Sequence, residues 1–235
     1  MKLPALTRAT IIRRYQRFLA DVVLEDGTPV TAHCPNTGRM TSCWAPGAPV
    51  ELSHSSNPAR KLPWTLERVD MGAGWVGVNT SRVNDVVAEA VLAGRIEALG
   101  GYRELGREVV CQHPHHPRSR LDMLLQGGER PDALVEIKNV TLLEGDCLYF
   151  PDAVSARARK HLDFLLDAVR QGRRGIVVFA INRPEGSCFR PAEQIDPQYA
   201  ERLREVVRQG VEVIALRIHH THDGLNAGKL VPVGE

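Results

Sequence analysis

The hydrophobic pattern of the first third of the chain predicts short β-strands. Apolar and polar residues alternate over short stretches, and turn-forming residues such as Glu25-Asp26-Gly27 separate them. Five short strands without a clear helix indicate a small β-barrel or sandwich, and a five-stranded OB-like barrel is one economical solution among the small β folds. The predicted strands cover residues 18–24, 30–34, 50–53, 64–69 and 75–78.

The pattern changes at Val83, where apolar residues begin to recur with helical spacing until the run ends near Gly100-Gly101. We place a domain boundary here, which predicts two domains, residues 1–82 and 83–235. The second domain has the predicted order α-β-β-β-α-β-α-β, an α/β arrangement. Its strands cover residues 105–111, 121–126, 134–143, 176–181 and 211–218, and its later helices start at Asp152 as N-cap and at Asp196-Pro197.

The composition is that of a folded, soluble protein. With 235 residues, 43% of them hydrophobic, the chain is long enough to bury ordinary cores. No apolar stretch approaches the length that spans a membrane, and the N-terminal residues lack the apolar core of an export signal. Five cysteines, an odd number without a CxxC pair, disfavour both a disulfide framework and a structural zinc site. We therefore expect a cytoplasmic protein.

The net charge of +2 is too small to indicate a polyanionic partner, but the charge is unevenly distributed. Residues 1–82 contain ten Lys and Arg against six Asp and Glu. Basic residues with interleaved aromatic side chains have the composition of a groove that binds a nucleic-acid strand, although we expect most of the aromatic residues in the core. The basic candidates are Arg13, Arg14, Arg17, Arg39, Arg60 and Lys61, and the aromatic residues are Tyr15, Phe18, Trp44 and Trp64.

The candidate chemistry lies on two neighbouring apolar runs of the second domain. Because alternate residues of a strand point to the same face, Glu136 and Lys138 share one face, and Asp122 joins them if the two runs pair. The loop between the runs is polar and contains glycine, as in a hairpin connection. Two carboxylates and an ammonium suit a site where a hard cation such as Mg²⁺ activates water against a phosphodiester. The alternative is an ordinary cross-strand ion pair.

Seven short motifs stand out along the chain: RYQRFLAD at 14–21, HCPNTG at 33–38, VNT at 78–80, SRLD at 119–122, EIKNVT at 136–141, YFPDAV at 149–154 and KHL at 160–162. These motifs resemble the sugar fermentation stimulation protein A (SfsA) family, and the resemblance covers nearly the whole chain. It implies an N-terminal OB-like nucleic-acid-binding barrel and a C-terminal PD-(D/E)XK restriction-endonuclease-like α/β domain. It also implies DNA binding.

The resemblance further implies roles by position. Asp122 and Glu136 match the metal-binding carboxylates of this nuclease class, and Lys138 matches its lysine. In the mechanism that we expect, the carbonyl of Ile137 adds a further ligand to the metal. The implied cofactor is Mg²⁺, or Mn²⁺ in its place. Glu89 matches the acidic residue on the preceding helix, and the alternative for Glu89 is a carboxylate that only reaches solvent.

Two positions depart from the family pattern: Asn139, where a serine is common, and Arg159, where a glutamine commonly precedes Lys-His-Leu. The second departure matters more, because polar residues on that helix often complete such sites. On the same helix, Arg157, Lys160 and His161 lie three or four residues apart or adjacent, and they are predicted to form one cationic patch that faces phosphate. A solvated helix face is the alternative.

The leading hypothesis is a cytoplasmic DNA-binding protein with a Mg²⁺-dependent nuclease-type site. The first alternative is a non-catalytic DNA-binding regulator of sugar-utilisation genes, as the family name suggests, on a nuclease-like scaffold. The second is an interaction protein without affinity for nucleic acid. RNA stays open as a substrate, a homodimer is compatible with the sequence, and no membrane partner is expected.

Overall fold

The structure, a computed structural model that describes residues 1–113 and 115–234, begins with a β-barrel. Its strands are β1 (Leu6–Tyr15), β2 (Leu19–Leu24), β3 (Pro29–His33), β4 (Pro49–His54), β5 (Trp64–Asp70) and β6 (Trp75–Gly77). They pair in the order β3-β2-β1-β4-β5-β6. His33 of β3 also pairs with Thr65 of β5, which closes β1 to β5 into a five-stranded barrel and leaves β6 paired with β5 outside the ring. The OB-like barrel expected from the sequence is confirmed.

The sequence pattern missed the first strand of this barrel. In β1, LTRATIIRRY, only Ala9 and Ile11 are buried, and threonine and arginine side chains occupy most of the other positions. A strand with only two buried alternate positions carries a weak periodic signal. The strand nevertheless completes the barrel core, which also contains Val22, Leu52 and Leu66.

The second part of the chain is a mixed β-sheet with helices on both faces. Its elements are α1 (Ser81–Leu92), β7 (Glu104–His113), β8 (His116–Gln126), β9 (Ala133–Val140), β10 (Leu142–Glu144), β11 (Cys147–Phe150), α2 (Ala156–Arg170), β12 (Arg174–Ile181), β13 (Cys188–Pro191), α3 (Pro197–Arg208), β14 (Glu212–His220) and β15 (Leu225–Leu230). The large sheet has the order β15-β14-β12-β9-β8-β7, and β10, β11 and β13 form a small one. Helix α1 covers one face, and α2 and α3 cover the other. The predicted α/β class is confirmed.

Strand β9 carries the candidate site, and its side chains alternate between the two cores. Val135 and Ile137 pack on the side of α1, whereas Leu134 packs on the side of α2 and α3. The same alternation directs Glu136 toward α2. A charged side chain therefore enters a layer covered by helices, where it requires partners.

Helix α2 begins later than the sequence predicted. Ser155, not Asp152, is its N-cap, and the Ser155 side chain accepts a hydrogen bond from a backbone N–H of the first turn. Asp152 instead accepts from the backbone N–H of Met40 in the barrel, at 3.1 Å. The N-cap predicted for α3, Asp196, is confirmed. Within the described part of the chain, no helix is long and apolar enough to cross a membrane.

The structure corrects the inference against disulfides. Cys147 in β11 and Cys188 in β13 are bonded, and they occupy paired positions of two parallel strands. Because they lie 41 residues apart in the chain, their spacing does not reveal the pairing. The other cysteines, Cys34, Cys43 and Cys111, are free thiols.

Hydrogen bonds join the barrel to the second domain. Arg68 of β5 donates to the carbonyls of Thr221 at 2.7 Å and His222 at 3.1 Å. In the other direction, Arg183 of the second domain donates to the carbonyl of Ser42 at 3.2 Å. In both places an arginine side chain of one domain donates to backbone carbonyls of the other. The barrel is therefore held against the second domain at two separate points.

Candidate functional site

Asp122 and Glu136 meet on paired strands, as the sequence predicted. Strands β8 and β9 are antiparallel, and the pair Met123–Val135 sets a register that brings the two carboxylates together. The backbone N–H of Ile137 donates to Asp122 Oδ2 at 2.7 Å. A backbone group of β9 thus orients a carboxylate of β8.

A second partner of Asp122 comes from α1 and was not predicted. Asn84, near the start of that helix, donates from Nδ2 to Asp122 Oδ1 at 2.7 Å. Burial, followed by repulsion from Glu136, raises the pKa of Asp122, and the hydrogen bonds from Ile137 and Asn84 oppose that rise. The sequence signal for this role is an amide side chain early in a helix, which is too common to identify the residue.

Glu136 is the buried centre of the site, with 3% of its surface exposed. Its Oε1 atom accepts from Lys138 Nζ at 2.5 Å and from His161 Nδ1. Burial acts to raise the pKa of Glu136, but the opposing effects of Lys138 and His161 outweigh it and leave that pKa below its usual value. Its Oε2 atom is buried and has no hydrogen-bond partner in the described residues.

His161 from α2 links this carboxylate to further polar groups. Because an ionised carboxylate only accepts hydrogen bonds, the Nδ1 atom beside Glu136 carries the proton. The Nε2 atom then accepts from Ser119 Oγ at 3.2 Å and from Arg157 Nε at 3.5 Å. His161 is 2% exposed, so its predicted place on an open, phosphate-facing patch is corrected to a buried place beside the carboxylates.

These residues fit a hard divalent cation. The unpartnered Oε2 of Glu136, the carboxylate of Asp122 and the carbonyl of Ile137 offer oxygen atoms, which Mg²⁺ and Ca²⁺ prefer. A buried carboxylate oxygen without a partner is unfavourable unless a cation or a donor satisfies it. Across residues 1–113 and 115–234, no three His, Cys, Asp or Glu side chains are grouped so that they could hold a metal ion. A cation here therefore needs water to complete its coordination, as Mg²⁺ commonly does.

The carboxylates border a cavity of about 450 Å³ between the two domains. The barrel contributes Arg17 and the loop 36–38 to its walls, and the second domain contributes Lys138 and Arg157. Three cationic side chains from separate elements thus share the cavity with the acidic pair. Its walls also include Asn84, Asn139, Thr141, Tyr149, Asp152 and Ser155.

Two protein-family models match the chain and together account for both domains. The SfsA N-terminal OB domain matches residues 12–78, and the sugar fermentation stimulation protein RE domain matches residues 81–224. The chain belongs to the SfsA family. The sugar fermentation stimulation protein homologs of Acidithiobacillus ferrooxidans and Pelobacter propionicus are 48% and 45% identical to it, over 99% of this chain and 99% of their own. Among solved structures, Pyrococcus furiosus SfsA in complex with Ca²⁺ has a TM-score of 0.88 at 26% identity, covering 100% of this chain and 98% of that one.

The structure corrects the position that the SfsA resemblance implied for Glu89. This carboxylate accepts from the Met1 amino group at 3.0 Å and from Arg95 at 2.8 Å. Its side chain is 47% exposed and lies outside the cavity. Glu89 follows Asn84 by five residues, so it points to a different side of α1 from the residue that contacts the site.

Of the two departures from the SfsA pattern, only Asn139 borders the cavity. Its Oδ1 atom accepts from Asn182 Nδ2 at 2.8 Å. Arg159 instead pairs with Asp196, the N-cap of α3, at 2.9 Å, and it lies outside the cavity. Arg159 therefore connects the two helices, which corrects the expectation that it bears directly on the site.

The six basic barrel residues of this SfsA-family chain do not all face the site. Arg17 lines the cavity. Arg13 pairs with Asp21 at 2.8 Å and lies over the ring of Tyr15, while Arg14 donates to backbone carbonyls of residues 36–39. The residues that are exposed outside the cavity are Arg39, Arg60 and Lys61.

The cationic patch predicted on α2 is divided in the structure. Arg157 is exposed at the cavity and His161 is buried beside Glu136. Lys160 borders a separate groove with His116. Successive residues of a helix point about 100° apart, so residues that are close in the sequence lie on different surfaces of α2.

Proposed function

We propose that this SfsA-family protein binds DNA and hydrolyses its phosphodiester bonds with Mg²⁺, or with Mn²⁺ in its place. The observation that carries the proposal is the buried Oε2 atom of Glu136, which has no partner in the described residues, on a carboxylate whose charge acts on Asp122. Pyrococcus furiosus SfsA, to which the chain is similar, is in complex with Ca²⁺. Because Ca²⁺ and Mg²⁺ both prefer oxygen ligands, this likeness supports binding of a divalent cation.

Each residue of the site has a separate task in this proposal. Asp122, Glu136 and the carbonyl of Ile137 would hold the cation. When bound, a divalent cation lowers the pKa of water and polarises a phosphoryl oxygen. Lys138 orients the attacking water and stabilises the charge that develops on the phosphate. His161 positions Glu136 through its Nδ1 hydrogen bond.

The barrel supplies the DNA-binding part of the proposal. It matches an OB domain, and OB folds commonly bind oligonucleotides. Arg17 and Arg157 line the cavity from the two domains, where they would neutralise phosphates on either side of the bond that is cut. The exposed residues Arg39, Arg60 and Lys61 extend the positive charge on the barrel surface.

Cleavage of labelled DNA in Mg²⁺ or Mn²⁺ tests the catalytic part, with RNA offered in parallel. Asp122→Ala and Lys138→Ala are each expected to lower the cleavage rate by at least about 100-fold. DNA affinity measured in EDTA should stay nearly unchanged, because without a divalent cation it depends mainly on contacts to phosphates. Glu89→Ala, outside the cavity, is the control that should keep the wild-type rate. The absence of metal-dependent cleavage of every nucleic acid offered would contradict the proposal.

A non-catalytic DNA-binding regulator of sugar-utilisation genes is the second candidate, and one observation favours it. Lys138 lies 2.5 Å from Glu136 Oε1, an ion pair that partly neutralises the site from within. A protein that uses this scaffold only to bind DNA would show affinity that depends on salt but not on Mg²⁺. Titration of Mg²⁺ at constant ionic strength, on the wild type and on Asp122→Ala, distinguishes the two candidates.

A further inference from the structure

The barrel loop 36–38 turns the site into a walled cavity instead of an open face of the sheet. This loop lines the same cavity as Asp122 and Glu136. Glu136 is 3% exposed and lines this cavity, so a phosphate group approaches its carboxylate through the cavity. The volume of about 450 Å³ lies near the lower end of the roughly 300–1,000 Å³ that small-ligand pockets have. A cavity of this size can accommodate a single nucleotide beside the carboxylates.

Hydrogen bonds hold this loop in place. Arg14 donates to the carbonyls of Asn36 at 2.8 Å and Gly38 at 2.9 Å. Asp152 of the second domain accepts from the backbone N–H of Met40 at 3.1 Å. Gly38 lies so close to Asp152 that a Cβ atom there would overlap the carboxylate. Contacts within the barrel and between the domains therefore set the width of the cavity.

The walls combine the groups that recognise an unpaired nucleotide. Arg17 from the barrel and Arg157 from α2 provide positive charge for phosphates. Tyr149 provides an aromatic side chain on which a base can stack, a contact that is open to every base. The amide of Asn139 and the hydroxyl of Thr37 can hydrogen-bond to base edges.

We propose that this cavity admits an unpaired DNA strand, so that the preferred ligand is single-stranded DNA or the single-stranded end of a duplex. A nucleotide in a duplex must be unstacked and unpaired before it can occupy such a cavity, whereas an unpaired strand needs no such step. The inference rests on the proposed function where it concerns cleavage. The preference for an unpaired strand concerns binding, and it is measured separately.

Binding in Ca²⁺, with the DNA checked to be intact, tests the preference. A fluorescein-labelled strand of about 12 nucleotides, within the site size of OB folds, is compared with the blunt duplex that the same strand forms with its complement. Fluorescence anisotropy at one fixed salt concentration measures both affinities. We expect the unpaired strand to bind at least about tenfold more tightly, because the duplex must open first. Equal or tighter binding of the blunt duplex would overturn the inference.

Substitutions in the cavity wall then test whether the unpaired strand binds in the cavity. Thr37→Trp fills the cavity from an exposed position of the loop, so it should lower the affinity for the unpaired strand by about tenfold. Thr28→Trp, at an exposed threonine of the turn between β2 and β3 outside the cavity, is the matched control and should bind as the wild type. Tyr149→Leu should weaken binding by about tenfold while Tyr149→Phe preserves it, since only the ring is needed for stacking. Affinity that Thr37→Trp leaves unchanged would overturn the inference.

Cleavage of the same two DNAs in Mg²⁺ separates failure of this inference from failure of the proposed function. Faster cleavage of the unpaired strand supports both. Cleavage of the blunt duplex at an equal or higher rate overturns the inference and supports the nuclease. If neither DNA is cut, the catalytic proposal fails, and the binding comparison in Ca²⁺ decides whether the cavity takes an unpaired strand.

Discussion

His161 and Glu136 form a buried pair in which the ring Nδ1 donates to the carboxylate Oε1. Lys138 approaches the same oxygen at 2.5 Å, and Oε2 has no partner in the described residues. One oxygen of Glu136 is therefore held by the protein while the other stays available. Support of this kind, from a residue that does not itself bind a metal, tunes both the orientation and the basicity of a ligand.

Replacement of His161 by Leu is expected to weaken Mn²⁺ binding by about 10- to 100-fold, the usual effect of removing a supporting hydrogen bond. The pKa of Glu136 should rise, because one of the groups that lower it is lost, and the pH of half-maximal Mn²⁺ binding should move upward. Isothermal titration calorimetry at several pH values measures both changes. Lys160→Leu, at the exposed neighbouring position of α2, is the control. An equal loss in both variants would indicate damage to the helix instead.

Asn84→Ala should raise the pKa of Asp122 further, because it removes the side-chain donor to Asp122 Oδ1. A metal ligand must be ionised, so the acidic limb of the pH–rate profile is expected to shift to higher pH, with a rate about tenfold lower below neutral pH. Asp85→Ala, at the adjacent surface position paired with Arg107, should leave the profile unchanged. An acidic limb that stays in place in Asn84→Ala would contradict this role.

Gly38→Ala is expected to displace the barrel loop, since the new Cβ atom would overlap the carboxylate of Asp152. We expect a cleavage rate about 10- to 100-fold lower, because small displacements of a site have effects of this size. The double variant Gly38→Ala/Asp152→Gly restores space and should recover part of the rate. Gly106→Ala, where an added Cβ meets ordinary contacts, is the control. Wild-type kinetics in Gly38→Ala would show that the loop position does not matter for catalysis.

Arg68→Met should lower the free energy of unfolding by about 3–5 kcal/mol, because it leaves Glu51 buried without its charged partner. Arg68 is 1% exposed, and its Nε lies 2.5 Å from Glu51 Oε2. Arg8, also near Glu51 at 3.8 Å, is 69% exposed, so Arg8→Met should change the stability by about 1 kcal/mol or less. Urea denaturation measures both. Similar losses in the two variants would contradict the prediction that the buried ion pair matters more than the exposed one. The double variant Arg68→Met/Glu51→Met should be more stable than Arg68→Met, because it no longer contains an unpaired buried carboxylate.

Stability should depend on pH through His220. Burial, followed by the positive charges of Arg68 and His219, lowers the pKa of His220 from 6.5 to about 3. As the pH falls through this window, the unfolded chain binds a proton that the folded protein does not. The free energy of unfolding is therefore expected to decrease on acidification, by up to about 1.4 kcal/mol per pH unit from this residue.

His220→Gln should reduce that slope, as measured by urea denaturation between about pH 7 and pH 4. His222→Gln, at an exposed position, is the control and should retain the wild-type slope. The prediction fails if His220→Gln and the wild type lose stability equally on acidification.

Local periodicity predicted the elements in which an apolar face is long and continuous. The buried run of β12 is an example. The start of α3 was predicted from a different local signal, the pair Asp196-Pro197. The pattern missed β1, where arginine and threonine interrupt the apolar alternation, and it missed β11 and β13, which have four residues each and are too short to establish a period. The local pattern also could not predict the contact between the domains, because that contact depends on pairs of residues far apart in the chain.

The sequence likewise predicted some residues of the candidate site and missed others. Asp122, Glu136 and Lys138 were found together because the period of a strand and one hairpin determine their arrangement. The hydrogen bonds from Asn84 to Asp122 and between His161 and Glu136 span 38 and 25 residues. Both depend on how a helix packs on the sheet, and no local pattern encodes that packing.

Neither domain holds the cavity alone. The barrel brings Gly38, and the second domain brings the Asp152 carboxylate that lies against it. A chimera that combined the barrel of one relative with the second domain of another would join two cavity walls that do not come from the same protein. A substitution at this contact in either domain therefore changes the shape of a cavity that both domains form.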